Sequence, residues 1–198
     1  MVAQDRFKYR FKLSGLQIHE ENLEAQPRKS HSARAYEGEV EMSKKEGYRK
    51  DLVHLLNEFL RTDDEEKIME FLVSNSNLPG PIGNLELADV FAEVVEDYSI
   101  RDPQKIWEFA SRLTDVSPNE APVNNPKEFL QFCGTVAIGA IGSIYATFYR
   151  KAFTFLKKLA NDPRWRTREA VAMGIQKLVA KQSKNTLKGL ESWIEKNE

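Results

Sequence analysis

The stretch Asn161-Asp162-Pro163-Arg164-Trp165-Arg166-Thr167-Arg168-Glu169-Ala170-Val171 constrains the fold more than any other, because it reads as a tight turn between two helices. Aspartate caps helices well and proline is favoured at a first helical position, so the spacing predicts a helix opening near Pro163 with Asp162 as its cap. Arg168 lies six residues after Asp162, within reach of that carboxylate. On this side of the turn Val171, Ile175, Leu178 and Val179 form an apolar stripe, and on the other Tyr145, Phe148, Tyr149, Ala152, Leu156 and Leu159 form a second. Two amphipathic helices joined by so short a link must run back along each other.

The same pattern recurs upstream. Leu52, Leu55, Leu56, Phe59 and Leu60 make a first helix, and Asp63 or Asp64 restarts the chain into Ile68, Phe71 and Leu72. The turn cluster Asn77-Leu78-Pro79-Gly80-Pro81-Ile82-Gly83 precedes a third helix with Leu87, Val90, Phe91, Val94 and Val95. A fourth carries Ile106, Trp107, Phe109, Ala110 and Leu113. After a proline-rich loop over 115–126 a fifth runs to about Ala140, with a break near Gly142-Ser143 before the sixth. The seventh spans Arg164 to about Lys181, and Ser183 opens an eighth whose Leu187, Leu190, Trp193 and Ile194 point inward. Residues 1–43 differ: Arg6 to Leu13 alternates basic and apolar side chains at period two, a strand pattern without a partner, so residues 1–41 are expected to be a partly flexible extension dispensable for the fold.

An aspartate in a helix–helix turn and a basic residue six positions on resemble a HEAT repeat. That resemblance implies an Asp–Arg ladder, with Asp162 and Arg168 as its rung. It also implies an all-α, right-handed α-solenoid of antiparallel helix pairs over 44–198, about eight helices in all. The hinge makes helices six and seven the halves of one repeat and leaves helices one and eight unpaired. Such open ends are expected to pack backwards, to cap imperfectly or to meet another chain.

A net charge of −1 conceals segregation: residues 51–120 hold 16 acidic and 5 basic side chains, residues 150–198 hold 5 and 12. Phe129 to Tyr149 is a 21-residue run without a charge, but its three glycines and its polar residues favour a buried helix over a membrane span. One cysteine, Cys133, excludes an internal disulfide, and residues 1–20 have no apolar core segment, so the cytoplasm is the expected location.

Catalytic constellations are sparse. His19, His31 and His54 give no metal spacing with Cys133, and Gly134, Gly139 and Gly142 fit neither a phosphate loop nor a dinucleotide fingerprint, so no metal or cofactor is expected and the glycines are assigned to close helix packing. The basic third is the sharper feature. Arg150, Lys157, Lys158, Arg164, Trp165, Arg166, Lys177 and Lys181 are the candidate binding residues, because cations on successive helix ends can track a phosphate backbone. Arg164 to Val171 also resembles the hinge of HEAT-like bacterial DNA alkylation-repair glycosylases, which implies nucleic-acid contact. Their carboxylate has no counterpart in the helix from Phe129 to Ala140, so the reaction is not carried over. The expectation is a non-catalytic binding module that uses its concave face on a protein or a nucleic-acid backbone. The alternatives are a glycosylase-like DNA-binding protein and a subunit of a larger assembly.

Overall fold

The computed structural model describes residues 43–195, and the readings made for residues 1–42 lie outside them. Seven helices and no strand occur among the described residues: α1 (Lys44–Thr62), α2 (Glu66–Ser74), α3 (Leu85–Ser99), α4 (Pro103–Leu113), α5 (Glu128–Ile144), α6 (Ala146–Leu159) and α7 (Trp165–Glu195). The polar residues between apolar runs act as caps. Ser43 and Glu46 close a reciprocal capping box on α1, Asn84 accepts from the Leu87 N–H at α3, and Asp102 accepts from the Lys105 N–H at α4 with Pro103 in its first turn. Asp63 ends α1 in the left-handed conformation (φ 63°), and α2 follows after Asp64 accepts from the Glu66 N–H.

Two boundaries differ from the sequence reading. The fifth helix does not break at Gly142-Ser143; it continues to Ile144 and turns at Tyr145, whose extended backbone (φ −109°, ψ 122°) links it directly to α6. The seventh and eighth helices form one element, α7, interrupted at Gln182 (φ −126°, ψ 38°), one residue before the expected restart at Ser183. Beyond that break Leu187 and Ile194 do not point inward: they are 52% and 64% exposed, while Thr186 is buried and Gly189 abuts the Phe153 ring.

Helix α5 organises the core. Every residue from Glu128 to Ser143 is buried, because α3, α4, α6 and α7 all pack against it. Consecutive odd-numbered helices touch, α1 on α3, α3 on α5 and α5 on α7, and α7 lies more extensively along α5 than along α6. The hinge over 160–164 thus joins two helices that share less surface with each other than each shares with α5. Aromatic stacking extends the core outward, with Phe59 on Phe109 (ring centroids 4.8 Å apart) and Trp107 on Phe148 (5.0 Å).

The glycines of α5 serve as expected. A Cβ on Gly139 would overlap the Gly174 backbone of α7, so this helix pair meets backbone to backbone at that point. Burial also pushes the Cys133 thiol well above its ordinary range, which leaves it a neutral packing group. No described helix is long and apolar enough to cross a membrane.

Candidate anion-binding face

The hinge itself is arranged differently from the ladder expectation. Helix α7 starts at Trp165, two residues after Pro163, so Asp162 is not its cap. Its carboxylate instead accepts the Arg164 N–H in an Asx-type turn (2.8 Å), and the Arg164 side chain folds back on it through Nε (2.9 Å) and Nη2 (2.9 Å). Arg164 is 2% exposed and its Nη1 donates to the Ala121 carbonyl of the 115–127 loop. Arg168 is exposed and, among the described residues, bonds only main-chain oxygens, those of Asp162 (2.8 Å) and Pro163 (3.1 Å). The Asp162 carboxylate is therefore paired with Arg164, and Arg168 reaches the Asp162 main-chain carbonyl instead.

Arg166, one of the candidate binding residues, is buried as well. Its Nη1 pairs with Glu128 at the head of α5 (3.4 Å), Nη2 donates to the Gly80 carbonyl (2.7 Å), and the Trp165 ring lies over its guanidinium (4.4 Å). Glu128 also accepts the Asn124 N–H, and the Asn124 side chain accepts the Gly80 N–H. Gln131 completes the cluster by donating to Asp162 and accepting from Thr167. Two loops and two helix starts are thus tied by one buried polar network, with Glu128 Oε1 and Arg166 Nε lacking a hydrogen-bond partner among the described residues.

This network is acid-sensitive. Burial works to raise the Asp162 carboxyl, but the Arg164 side chain and backbone, the Gln131 amide and the Arg164 charge outweigh it and bring the group from 3.8 to about 2. A carboxyl depressed in the folded state contributes stability that is whole above its unfolded value and is lost as pH falls through the folded one. Screened by solvent at the edge of the network, the contribution is about 1 kcal/mol, fading between about pH 4 and pH 2. In thermal melts the stability gap between the parent and Asp162→Asn narrows across that window; a gap independent of pH would remove the assignment.

Of the remaining candidates, Lys177 pairs with Asp89 (2.5 Å) and Lys181 with Glu96, both on α3. These cross-links, together with Lys45 and Arg49 of α1 on Glu93 and Asp97, neutralise the row formed by α1, α3 and α7. Lys157 sits over the Trp193 ring (5.5 Å). The expected basic set therefore does not converge on one groove.

What does converge lies on the outer face of α6. Arg150 and Lys158, with Lys151 which the binding set omitted, are exposed and engage no carboxylate among the described residues. Helical spacing puts Arg150, Lys151, Thr154 and Lys158 along one side, and they rim a hollow of about 580 Å³ floored by Trp107 and Phe155. Lys151 Nζ stands 5.7 Å from the centroids of both Trp107 and Phe148. Fixed cations around an apolar floor can hold anionic groups in a row while a flat or apolar group enters between them. The signal for this site was present in the sequence as the Arg150-Lys151 and Lys157-Lys158 pairs, one of whose members always faces outward. Among the described residues no group of three or more His, Cys, Asp or Glu side chains is placed to hold a metal ion. No family model, no curated protein and no solved structure matches the chain.

Proposed function

We propose that the helical unit is a non-catalytic HEAT-like binding module that holds single-stranded nucleic acid on the outer face of α6. The consecutive contacts of α1, α3, α5 and α7 support a repeat-like stack, and the paired cations of that row shift binding away from it towards α6. The observation that carries the reading is the trio Arg150, Lys151 and Lys158, unpaired by carboxylates among the described residues and gathered round the Trp107–Phe155 hollow. Phosphates bind the rim and an unstacked base enters the hollow, a mode that tolerates any sequence.

The test is fluorescence anisotropy with a labelled single-stranded oligonucleotide. Three neutralised phosphates give a slope of about −2 in log affinity against log salt, so a fourfold rise in salt weakens binding about twentyfold. The triple substitution Arg150→Glu, Lys151→Glu, Lys158→Glu abolishes binding with helical circular dichroism unchanged, since all three side chains are exposed. Absence of binding by the parent at low salt, or retention of binding by the triple variant, rejects the reading.

A further inference from the structure

The acidic half of the chain builds a groove of its own. Where the α1–α2 link and α2 meet the end of α4 and the start of α5, a hollow of about 670 Å³ has Met69, Val73 and Leu130 as its apolar floor. Two of its acidic neighbours are already engaged, Asp63 by Lys105 and Glu65 by Arg112 (3.0 Å). Asp64, Glu66 and Glu70 are exposed and pair with no cation among the described residues, and Lys127 stands at the α5 edge. An apolar trough under three free carboxylates accepts a convex element that carries aliphatic side chains between cations.

Residues 183–195 are such an element. Lys184, Leu187, Lys188, Glu191 and Ile194 are all exposed and follow one another at helical spacing, so they form a single ridge. Leu187 and Ile194, two turns apart along it, are among the most exposed large apolar side chains of the described residues, and the two lysines flank Leu187. The opposite side of this helix is the one that is satisfied, with Thr186 bonded to the Gln182 carbonyl and Gly189 and Trp193 against Phe153. The ridge cannot reach the trough of its own chain, because α7 packs on α5 and α6 and has no comparable interface with α1 or α2.

We propose that the Lys184–Ile194 ridge of one molecule seats in the Met69–Leu130 trough of a second copy, giving head-to-tail association. Leu187 and Ile194 fill the apolar floor while Lys184 and Lys188 face Asp64, Glu66 and Glu70. Because the two surfaces are different patches of one chain, the contact is heterologous and leaves a free trough at one end and a free ridge at the other of every open assembly. It uses none of Arg150, Lys151 or Lys158 and stands or falls apart from nucleic-acid binding.

Light scattering and sedimentation equilibrium decide it. The parent's mass at low salt rises above the 22.8 kDa of one chain with concentration and returns towards it at high salt. The ridge variant Lys184→Glu, Lys188→Glu and the trough variant Glu66→Lys, Glu70→Lys each stay at 22.8 kDa with unchanged melting temperature, the altered side chains being exposed. Mixing the two variants restores complementarity at both contacts, the native ridge against the native trough and the reversed ridge against the reversed trough, so the equimolar mixture associates although neither variant does so alone. Leu187→Ala with Ile194→Ala also holds the chain at single mass without changing charge. A parent that stays at single mass at every concentration overturns the proposal. So does association unaffected by both charge variants, or a mixture that fails to pair.

Discussion

Arg166→Ala lowers stability by about 3–5 kcal/mol, because it leaves the Glu128 carboxylate, 1% exposed, without its cation in the protein interior. The substitution also frees the Gly80 carbonyl and uncovers the Trp165 ring, so the loss is not confined to the ion pair. Arg168→Ala, two positions on, changes stability by no more than about 0.5 kcal/mol, since that side chain lies on the surface and caps only main-chain oxygens. Removing both charges at once is milder than removing one. Glu128→Leu with Arg166→Met replaces two incompletely bonded buried charges by apolar volume, and the double variant recovers much of the loss seen in Arg166→Ala. Urea titration of the four proteins measures this. Equal midpoints for Arg166→Ala and Arg168→Ala would show that the Arg166–Glu128 contact contributes nothing.

Gly139→Ala costs about 3 kcal/mol, in spite of the roughly 1 kcal/mol that alanine gains over glycine in a helix. The added methyl meets the Gly174 backbone, which cannot move without shifting α7 along α5. Gly174→Ala is the informative contrast. Its Cβ meets chiefly the Leu156 side chain at 2.9 Å and the Thr135 carbonyl at 3.1 Å, and a leucine can change rotamer. The cost at Gly174 is therefore about 1 kcal/mol, with the propensity gain offsetting part of the crowding. Denaturant midpoints at constant m-value report both, and a Gly139→Ala protein as stable as the parent would mean that the two helices are not in backbone contact.

Helix positions were legible because they depend on local periodicity. The stripe from Leu52 to Leu60 needs no tertiary information, while the caps Ser43, Asn84 and Asp102 were not picked out and emerge only in the structure. The glycines of the uncharged run were assigned correctly to close packing for the same reason: a buried helix must let a neighbour approach. The hinge residues were not legible. Whether Asp162 caps a helix or closes an Asx turn depends on a start two residues later than Pro163 signals. That small offset reverses the roles of the arginines, turning Arg164 and Arg166 inward and Arg168 outward. Glu128 was overlooked because a charge at the head of a helix looks solvated until a loop from elsewhere in the chain covers it. The same holds for Lys177 and Lys181, whose partners Asp89 and Glu96 are more than 80 residues away in sequence. The charge asymmetry was real as composition, yet much of it is consumed in these cross-helix pairs.

The complete enclosure of α5 bears on how the unit comes apart. In a linear array each repeat touches only its neighbours, and terminal units can fray while the rest persists. Here five helices, α2, α3, α4, α6 and α7, share one buried partner, so none of them can open fully without exposing part of α5. Amide protons of its middle turns exchange with solvent only through global unfolding, and they report the full free energy of the unit. Those of α1 and of residues 183–195, which lie away from this axis, exchange through partial openings of lower energy. Loss of structure in the centre is thereby a single event, and the edges keep the freedom that recognition of a partner requires.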